Sequence, residues 1–429
     1  MNSENNDGQD PNAQPKQKLG GRYAHYVLFV LVIVYVFNFI DRNILSILNE
    51  EIQADLGVSD ADMGLLYGTV FAVFYSVFGI PLARFADVWV RRSLISIGLM
   101  FWSAMTAMSG FARSFSMLAI FRVGVGIGEA SASPAAYSML ADYYPQRLRA
   151  TVIAIYSSGV YIGGGIGLFL GGFIMETWNS TFPDPVVAPL GLKGWQAAFL
   201  AVGIPGILMA IWVRTLKEPV RGVSEGIVTQ QHPNPVGVLL TESAAMIPIL
   251  NLVGLARVGA SIPLNLLGAA IIGAIAWLLI YLTGSVVQWI ALGIGIYVVF
   301  CWVQSLKARD PVTYEMIFKS KAMVYTMLAF PTISFVTYGV GFWTAPLLLR
   351  LHETSATEVG MYIGLGSAIG GLLGVTLGGY FGDKFKDKHP AGRLAIGYIA
   401  VFGTVPLVLW MIYTDSLMWA FALNLSHHL

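Results

Sequence analysis

Long apolar segments recur along almost all of this 429-residue chain, and they restrict its fold more than any other feature. Charged residues make up only 11% of the sequence, whereas soluble domains contain roughly 25%. Most segments reach about 18 residues, enough for a helix to cross about 30 Å of hydrocarbon. We therefore predict an all-α polytopic membrane protein. The segments fall at 24–48, 63–85, 93–112, 115–140, 150–175, 195–213, 266–283, 286–305, 322–349, 359–381 and 393–413, with a short run from 416.

Lysine and arginine residues are concentrated in alternate loops between these segments. The loops on the other side hold only Arg113, Lys193 and Arg350, beside several acidic residues. Because cytoplasmic loops are enriched in lysine and arginine, we expect a protein of the cell membrane with a cytoplasmic amino terminus. The middle of the chain then crosses the membrane an even number of times, as two helices at 266–283 and 286–305, unless this pair lies flat or re-enters.

The chain divides into four predicted parts. Residues 1–22 have no apolar core, which excludes a signal peptide and is typical of a disordered cytoplasmic tail. Residues 23–215 form a six-helix bundle. Residues 216–321 form a linker with an amphipathic segment and the two inserted membrane helices. Residues 322–429 form a second bundle whose last run is about half a crossing, so we expect either that C-terminal helices are missing from this sequence or that the repeat is incomplete.

The two predicted bundles share an internal repeat, in which 59–87 aligns with 355–383 without a gap. Each copy begins with the spacing of a capping box, which starts a helix. Small residues at every fourth position then give a smooth face for close helix packing. Such repeats are typical of alternating-access transporters. The matched pairs are Ser59–Ser355, Gly64–Gly360, Gly68–Gly364, Ala72–Ala368, Phe85–Phe381 and Asp87–Asp383, with Asp62 opposite Glu358.

Three motifs resemble those of the major facilitator superfamily. The stretch "ARFADVWVRR" resembles its G-x-L-A-D-R-x-G-R-R loop, with Ala83 and Val88 replacing a glycine and an arginine, and "GYFGDKFKDK" resembles a second copy. The stretch "GGGIGLFLGG" resembles the G-P-x-x-G-G antiporter motif, with Leu168 at the proline position, so antiport stays open. The resemblance implies two pseudo-symmetric six-helix bundles around a central cavity, with 266–305 as an inserted helical hairpin.

Two further stretches resemble the Spinster family. They are "NFIDRNILSIL" in the first helix and "RVGVGIGEASASPAAYSMLADYYP" in the fourth. Members of that family move sphingolipid and lysophospholipid species, which implies a lipid-like substrate. The superfamily pattern also implies that Asp87, Arg91 and Asp383 lock the cytoplasmic helix ends in the outward-open state. Arg147 and Arg149 are possible partners in that lock, although these charges could serve orientation alone.

Four ionisable residues lie at membrane depth: Asp41, Arg42, Arg122 and Glu129. Each costs about 2.5–3.5 kcal/mol at a helix centre, so such groups usually face a cavity or a partner. Asp41 and Arg122 lie at similar predicted depth, and Glu129 lies about 10 Å deeper on the same helix face as Arg122. Neighbouring residues diverge by about 100° around a helix, so we match Asp41 to Arg122 across the cavity rather than to Arg42.

These charges have a structural and a functional interpretation. Asp41 and Arg122 could form an ion pair that only holds two helices together, and Glu129 could form only an interhelical hydrogen bond. Alternatively, a cavity that opens to each side in turn changes the desolvation around a carboxylate, so Asp41 or Glu129 could load and release a proton. Arg42 or Arg122 would then bind an anionic headgroup, because arginine binds phosphate and carboxylate bidentately.

The segments 322–349 and 359–381 offer aromatic and hydroxyl side chains instead of buried charges. We predict that Asn38, Tyr338 and Trp343 line the cavity, although any one aromatic residue could serve packing or the membrane interface. A charged wall opposite an apolar wall suits an amphipathic anion.

The sequence therefore predicts a secondary active, proton-coupled transporter of an amphipathic anion, working as a monomer with protons and membrane lipids as partners. The alternatives are a carrier of a small organic anion, such as a sugar acid or an aromatic carboxylate, and a non-transporting receptor. The sequence shows no nucleophile set, metal-ligand spacing or cofactor motif, and Cys301 is the single cysteine. We expect no enzyme activity, no metal and no cofactor, and the few scattered charges argue against nucleic acid.

Overall fold

The computed structural model describes residues 19–226, 232–352, 354–389 and 391–428, apart from the side chains at 248, 249, 383 and 393. Most of the predicted tail, residues 1–18, therefore lies outside the described residues. Within these ranges the regular structure is helical. The helices that matter here are α1 (Arg22–Ile47), α2 (Asp60–Val88), α3 (Arg91–Ser109), α4 (Phe115–Tyr143), α5 (Gln146–Thr181), α6 (Gly194–Arg214), α7 (Pro235–Met246), α8 (Pro248–Arg257), α9 (Ile262–Thr283), α10 (Val286–Arg309), α11 (Lys321–Leu351), α12 (Ala356–Lys388), α13 (Gly392–Tyr413) and α14 (Leu417–His428).

Every apolar segment predicted from the sequence lies on one of these helices. Ten of the helices in the described ranges are long and apolar enough to cross a membrane, which makes the chain a multi-pass membrane protein. Helix α3 is not among the ten, because Arg91, Arg92 and several serines lower its apolar content. Helix α14 has 12 residues, fewer than a crossing requires.

Glycines on α5 bring its backbone against α1. A methyl group added at Gly163 would overlap the carbonyl of Val36, and one added at Gly167 would lie 2.9 Å from the Cα of Ile40. Because glycines at every fourth position form one helix face, the two backbones pack directly together. The glycine-rich stretch of α5 therefore serves helix packing, as its spacing predicts.

A second glycine face of α5 contacts α12, which belongs to the second half of the chain. A methyl group added at Gly165 would overlap the carbonyl of Gly364, and one added at Gly360 would lie 2.5 Å from the carbonyl oxygen of Leu168. The smooth face predicted in the second copy of the repeat is thus an interface between the two halves. In the first copy, Gly64 contacts Trp343, but a methyl group at Gly68 would meet open space.

The helix starts predicted by the repeat are confirmed, with one difference. Ser59 accepts from the amide of Asp62, whose carboxylate accepts from the amide of Ser59, so the first capping box is complete. Ser355 accepts from the amide of Glu358 at 3.0 Å. The Glu358 carboxylate, however, accepts from the hydroxyl of Thr354 at 2.8 Å. The second cap is therefore formed by the serine side chain alone.

Helices α9 and α10 form an antiparallel hairpin. Gly284 makes the turn in the left-handed region at φ 74°, a conformation that glycine adopts without strain. Asn265, near the start of α9, donates to Gln304, near the end of α10, at 2.9 Å. Each helix is long and apolar enough to cross a membrane, as the two-crossing interpretation requires. The predicted amphipathic segment becomes α7 and α8, which meet at an angle of 103°.

Candidate functional site

A break in α4 positions Glu129. The helical turns stop at Glu129 and resume at Ala132, because Pro134 has no amide hydrogen to donate to the preceding turn. The hydroxyl of Ser131 donates to the carbonyl of Gly128 at 2.8 Å and satisfies one of the freed acceptors. A methyl group added at Gly128 would lie 2.8 Å from Cβ of Trp102, so α3 and α4 are in close contact here.

Arg42 and Glu129 form the central ion pair of the buried site. The Nε of Arg42 donates to Oε2 of Glu129 at 2.6 Å, with side-chain exposures of 10% and 0%. The rings of Phe39, Phe71 and Tyr75 surround the guanidinium, with centroids 4.7–4.9 Å from its carbon. Cation–π contact strengthens when water is excluded, so these rings stabilise the positive charge together with Glu129.

The predicted ion pair between Asp41 and Arg122 is wrong. The guanidinium of Arg122 donates to the main-chain oxygen of Asp41 at 3.0 Å, not to its carboxylate. The reason is the divergence of neighbouring residues around α1. Arg42 turns toward the break in α4 and meets Glu129, while the Asp41 side chain turns toward Trp102 and Thr106 of α3.

Several buried polar atoms in this cluster make no hydrogen bond of normal length and angle with a described residue, although the Asp41 carboxylate faces the donors of Trp102 and Thr106. Most buried polar groups in folded proteins are fully paired, so these incompletely paired groups make the cluster a candidate functional site. All of the residues concerned are at most 1% exposed. The atoms are Oδ1 of Asn38, both carboxylate oxygens of Asp41, Nε1 of Trp102, Oγ1 of Thr106, Nε of Arg122 and Oε1 of Glu129.

Aromatic side chains of α2 and α11 form the opposite wall. Tyr67 stacks on Phe342 with ring centroids 4.2 Å apart, and Trp343 meets Phe342 edge to face. Tyr338 lies close enough to Arg42 and Tyr67 for electrostatic interaction. Tyr338 is 45% exposed, as a cavity-lining residue would be.

The cavity-lining role predicted for Asn38, Tyr338 and Trp343 stays a prediction, and sequence reasoning missed the rings of α2. A π-helical turn at Leu65–Val70 immediately precedes Phe71 and sets the direction of these rings. No sequence signal marks that turn. A separate cavity of about 410 Å³ lies behind Trp343, between α11 and α13, and none of the four charged residues lines it.

The two halves of the chain are tied together at the end that carries Arg350. Its guanidinium contacts the carboxylates of Glu50 and Asp60, each at 2.7 Å. The hydroxyl of Ser46 donates to the carbonyl of Phe342 at 2.5 Å nearby. Sequence reasoning noted Arg350 only as one of the few cations in its set of loops, because no motif links it to acids almost three hundred residues earlier.

At the opposite helix ends, the ion pairs among the described residues lie within the first bundle and the segment that follows it. Arg91 contacts Asp142 at 2.5 Å and Glu218 at 2.8 Å, and Arg149 contacts Glu225 at 2.9 Å. Arg149 therefore pairs with Glu225 in this conformation, and the lock proposed for the outward-open state stays a prediction. Arg147 is exposed and makes no ion pair with any described residue.

The structure gives less information on Asp87 and Asp383, the two other residues of the predicted lock. Asp87 lies near Arg84, Arg91 and Arg221. The side chain of Asp383 lies outside the described residues.

Two sets of apolar helices, the first of which encloses a buried ion pair, define a polytopic membrane protein. The chain belongs to the Major Facilitator Superfamily, whose family model matches residues 31–426. It is similar to a crystal structure of a bacterial homologue of the human lysosomal transporter Spinster in an inward-facing and unoccupied conformation. The identity is 28% and the TM-score 0.62, covering 95% of this chain and 73% of that one.

Curated relatives match over a smaller share of their length. An MFS-type efflux pump of Mycolicibacterium smegmatis is 32% identical over 44% of this chain and 41% of that protein. A probable L-galactonate transporter of Escherichia coli is 28% identical over 43% and 37%, and the protein spinster of Drosophila melanogaster is 28% identical over 48% and 32%. The chain thus spans less than half the length of these relatives.

Proposed function

We propose that this chain is a secondary active, proton-coupled transporter of an amphipathic anion, such as a lysophospholipid or a sphingoid lipid. It acts in the cell membrane with its amino terminus in the cytoplasm. The observation that carries the proposal is the buried pair of Arg42 and Glu129, which faces an aromatic wall and lies beside unpaired polar atoms. The resemblance to Spinster proteins supports the lipid class of the substrate.

Competition between the headgroup and Glu129 for Arg42 would couple substrate binding to proton uptake. An anionic headgroup that binds the guanidinium displaces the carboxylate of Glu129, since both are ligands for the same donors. A buried carboxylate that loses its cation is neutralised by a proton rather than left charged. Release of the headgroup on the other side lets Glu129 return to Arg42 and give up the proton. Asp41, which has no ion-pair partner among the described residues, is the second proton carrier.

The closed end supports the assignment of this conformation to one state of the transport cycle. Lysine and arginine distribution puts the end with Arg350 outside the cell. Contacts of α11 with the first bundle are found there, where Ser46 donates to Phe342 and Arg350 pairs with Glu50. The start of α11, around Tyr325 and Phe335, is largely exposed. The arrangement corresponds to the inward-open state, in which the headgroup site is reached from the cytoplasm.

A small organic anion is the second candidate. The observation that favours it is the similarity to the probable L-galactonate transporter and to a probable galactarate/D-glucarate transporter of Bacillus subtilis, 28% and 29% identical. A sugar acid would use the same arginine through its carboxylate, but it would leave the aromatic wall without an apolar partner.

Flux into proteoliposomes tests these alternatives. Purified protein is reconstituted, a pH gradient is imposed, and uptake of lysophosphatidylglycerol is compared with uptake of L-galactonate. We expect gradient-driven movement of the lysolipid and none of the sugar acid. Uptake of L-galactonate alone would show that the substrate is a small organic anion, as in the second candidate function. The absence of any substrate or proton movement would contradict transport and leave a receptor as the remaining interpretation.

A further inference from the structure

A second polar cavity lies far from the transport site, where the bent pair α7 and α8 meets the end of α10. Its volume is about 400 Å³. Polar and charged side chains contribute from three helices, and none of the four buried charges of the transport site takes part. The residues used below are Thr241, Asn251, Arg257, Ser305 and Arg309.

Asn251 is a buried polar group without a partner. It is 1% exposed, and neither its amide nitrogen nor its oxygen has a hydrogen-bond partner among the described residues. A buried amide without a partner destabilises the folded state. Because the side chain lines the cavity, an acceptor oxygen of a ligand there would pair with Nδ2, and a hydroxyl of the ligand would pair with Oδ1.

The cavity has an excess of positive charge. Arg309 contacts the carboxylate of Glu242, with distances of 3.1 and 3.2 Å, so its charge is balanced within the protein. Arg257 is exposed and makes no ion pair with any described residue. Its guanidinium is the uncompensated charge at this site, and guanidinium groups bind phosphate bidentately.

The surroundings are those of a membrane interface. Leu250, Val253 and Val258 present exposed apolar side chains around the cavity, at 50%, 48% and 44%. The two helices are apolar enough to pass for a membrane span, yet they meet at 103°. A bent apolar element with arginine beside it fits the headgroup level of a bilayer, where cytoplasmic leaflets carry anionic lipid.

We propose that this cavity binds the phosphate of an anionic phospholipid from the cytoplasmic leaflet. Arg257 holds the phosphate, Asn251 hydrogen-bonds to it, and the acyl chains lie against Leu250 and Val253. The site fixes the linker to the membrane, and it is separate from the transported substrate.

Binding measurements on the full chain in a neutral detergent test the site. Dihexanoyl phosphatidylglycerol is the probe, with dihexanoyl phosphatidylcholine and inorganic phosphate as comparison ligands. We expect Arg257→Gln to raise the Kd for phosphatidylglycerol about five-fold, because a basic residue near anionic lipid contributes about 1 kcal/mol. Asn251→Leu should also weaken binding. Arg214→Gln, an exposed arginine at the end of α6, should leave the Kd unchanged.

Each other outcome overturns the proposal. Equal affinity of wild type and Arg257→Gln removes the proposed contact. Equal binding of phosphatidylcholine shows that the negative charge is not recognised. Inorganic phosphate binding as tightly as the lipid, with the same response to Arg257→Gln, assigns a free-anion site instead. If Asn251→Leu does not fold, Arg257→Gln decides alone, because that side chain is exposed and makes no ion pair in the described structure.

Discussion

The Nε of Arg42 lies 2.6 Å from Oε2 of Glu129, although 87 positions separate the two residues in the sequence. The contact joins the middle of α1 to the break in α4 and places both charges out of water. Asp41, the next residue along the chain, turns toward α3 and finds no partner of opposite charge among the described residues. Two adjacent charges on one helix thus lie in different environments: Arg42 pairs with Glu129 of α4, and Asp41 faces α3.

Replacing Glu129 by glutamine should abolish uptake driven by a pH gradient. The change leaves Arg42 without its counter-charge, and breaking a buried pair costs about 3–5 kcal/mol, so the melting temperature should fall as well. Substrate exchange at equal pH on both sides should persist. Glu225→Gln, which removes an acid from a half-exposed surface pair, is the control. Normal gradient-driven uptake by Glu129→Gln would refute the proton role.

Loss of the whole pair should be tolerated better than loss of one partner. The double variant Arg42→Leu/Glu129→Leu leaves no buried charge unpaired, so we expect its melting temperature to exceed that of Glu129→Gln. Uptake should stay absent, because headgroup and proton sites are both removed. A double variant less stable than the single one would show that the aromatic rings around Arg42, not Glu129, hold the charge.

Asp41→Asn should change the coupling of transport to protons without lowering the stability of the protein. Neither carboxylate oxygen has a hydrogen-bond partner among the described residues, so an amide of the same shape removes no ion pair. We expect a melting temperature close to that of wild type and an uptake rate that varies less steeply with pH, because Glu129 remains as a proton carrier. Measuring uptake across a series of pH values checks this. An unchanged pH profile would remove Asp41 from the coupling mechanism.

Arg350→Gln should shift the protein toward opening at the outer end. Each exposed ion pair contributes about 0.2–1 kcal/mol, so loss of two gives roughly a five-fold shift in population. A cysteine at Ser46, in a Cys301→Ala background, reports the opening through labelling by an impermeant maleimide. Lys193→Gln removes a pair with Asp55 inside one bundle and is the control. Equal labelling in both variants would exclude the Arg350 contacts as a gate.

Gly364→Ala should destabilise the contact between the two bundles. The added methyl group overlaps the backbone of Gly165, and overpacking costs about 1–3 kcal/mol. Gly379→Ala adds the same group on the same helix, where it meets nothing within 4 Å. We therefore expect a lower melting temperature for the first variant and an unchanged or higher one for the second. Equal changes in both would attribute the effect to helix propensity rather than to packing.

A pH effect on stability is expected at Glu51, in the short helix after α1. Burial raises the pKa of its carboxyl above the ordinary value of 4.5, although the amide of Asn179 donates to it. The folded state then holds the proton more tightly than the unfolded state. Its stabilising contribution is complete below about pH 4.5 and is lost as pH rises through the raised folded pKa.

Glu51→Gln, which stays neutral, should therefore melt above wild type at neutral pH. The difference should shrink as pH falls toward 4.5, the ordinary value for this carboxyl. Melting curves at several pH values measure it. Asp387→Asn, at an exposed carboxylate, is the control. A constant difference between Glu51→Gln and wild type at all pH values would contradict the expected titration.

The helical architecture could be predicted from the sequence because it depends on local properties. A run of apolar residues fixes a membrane helix without knowledge of its neighbours, and the caps at Ser59 and Ser355 depend only on residues three positions apart. The sequence predicted only an amphipathic segment where the structure has the bent pair α7 and α8. Its angle depends on packing against α10, which the sequence does not reveal.

The members of the buried site were predictable, but their pairing was not. A charged residue inside an apolar segment is easily recognised in the sequence. The four charges at membrane depth could therefore all be identified, namely Asp41, Arg42, Arg122 and Glu129. Which carboxylate meets which arginine depends on the rotation of α1 and on the break that Pro134 introduces into α4. Those are tertiary properties, and they place Arg42 on Glu129 and Arg122 on the main-chain oxygen of Asp41 instead of its carboxylate.

Helix α5 has two glycine faces with different partners, and this limits how the bundles can move. Gly163 and Gly167 bring the backbones of α5 and α1 together within the first bundle, next to the helix that carries Asp41 and Arg42. Gly165 meets Gly364 of the second bundle, with only the methyl group of Ala368 beside them. With so few side chains between the two backbones, we expect the crossing of α5 and α12 to be the axis about which one bundle turns against the other.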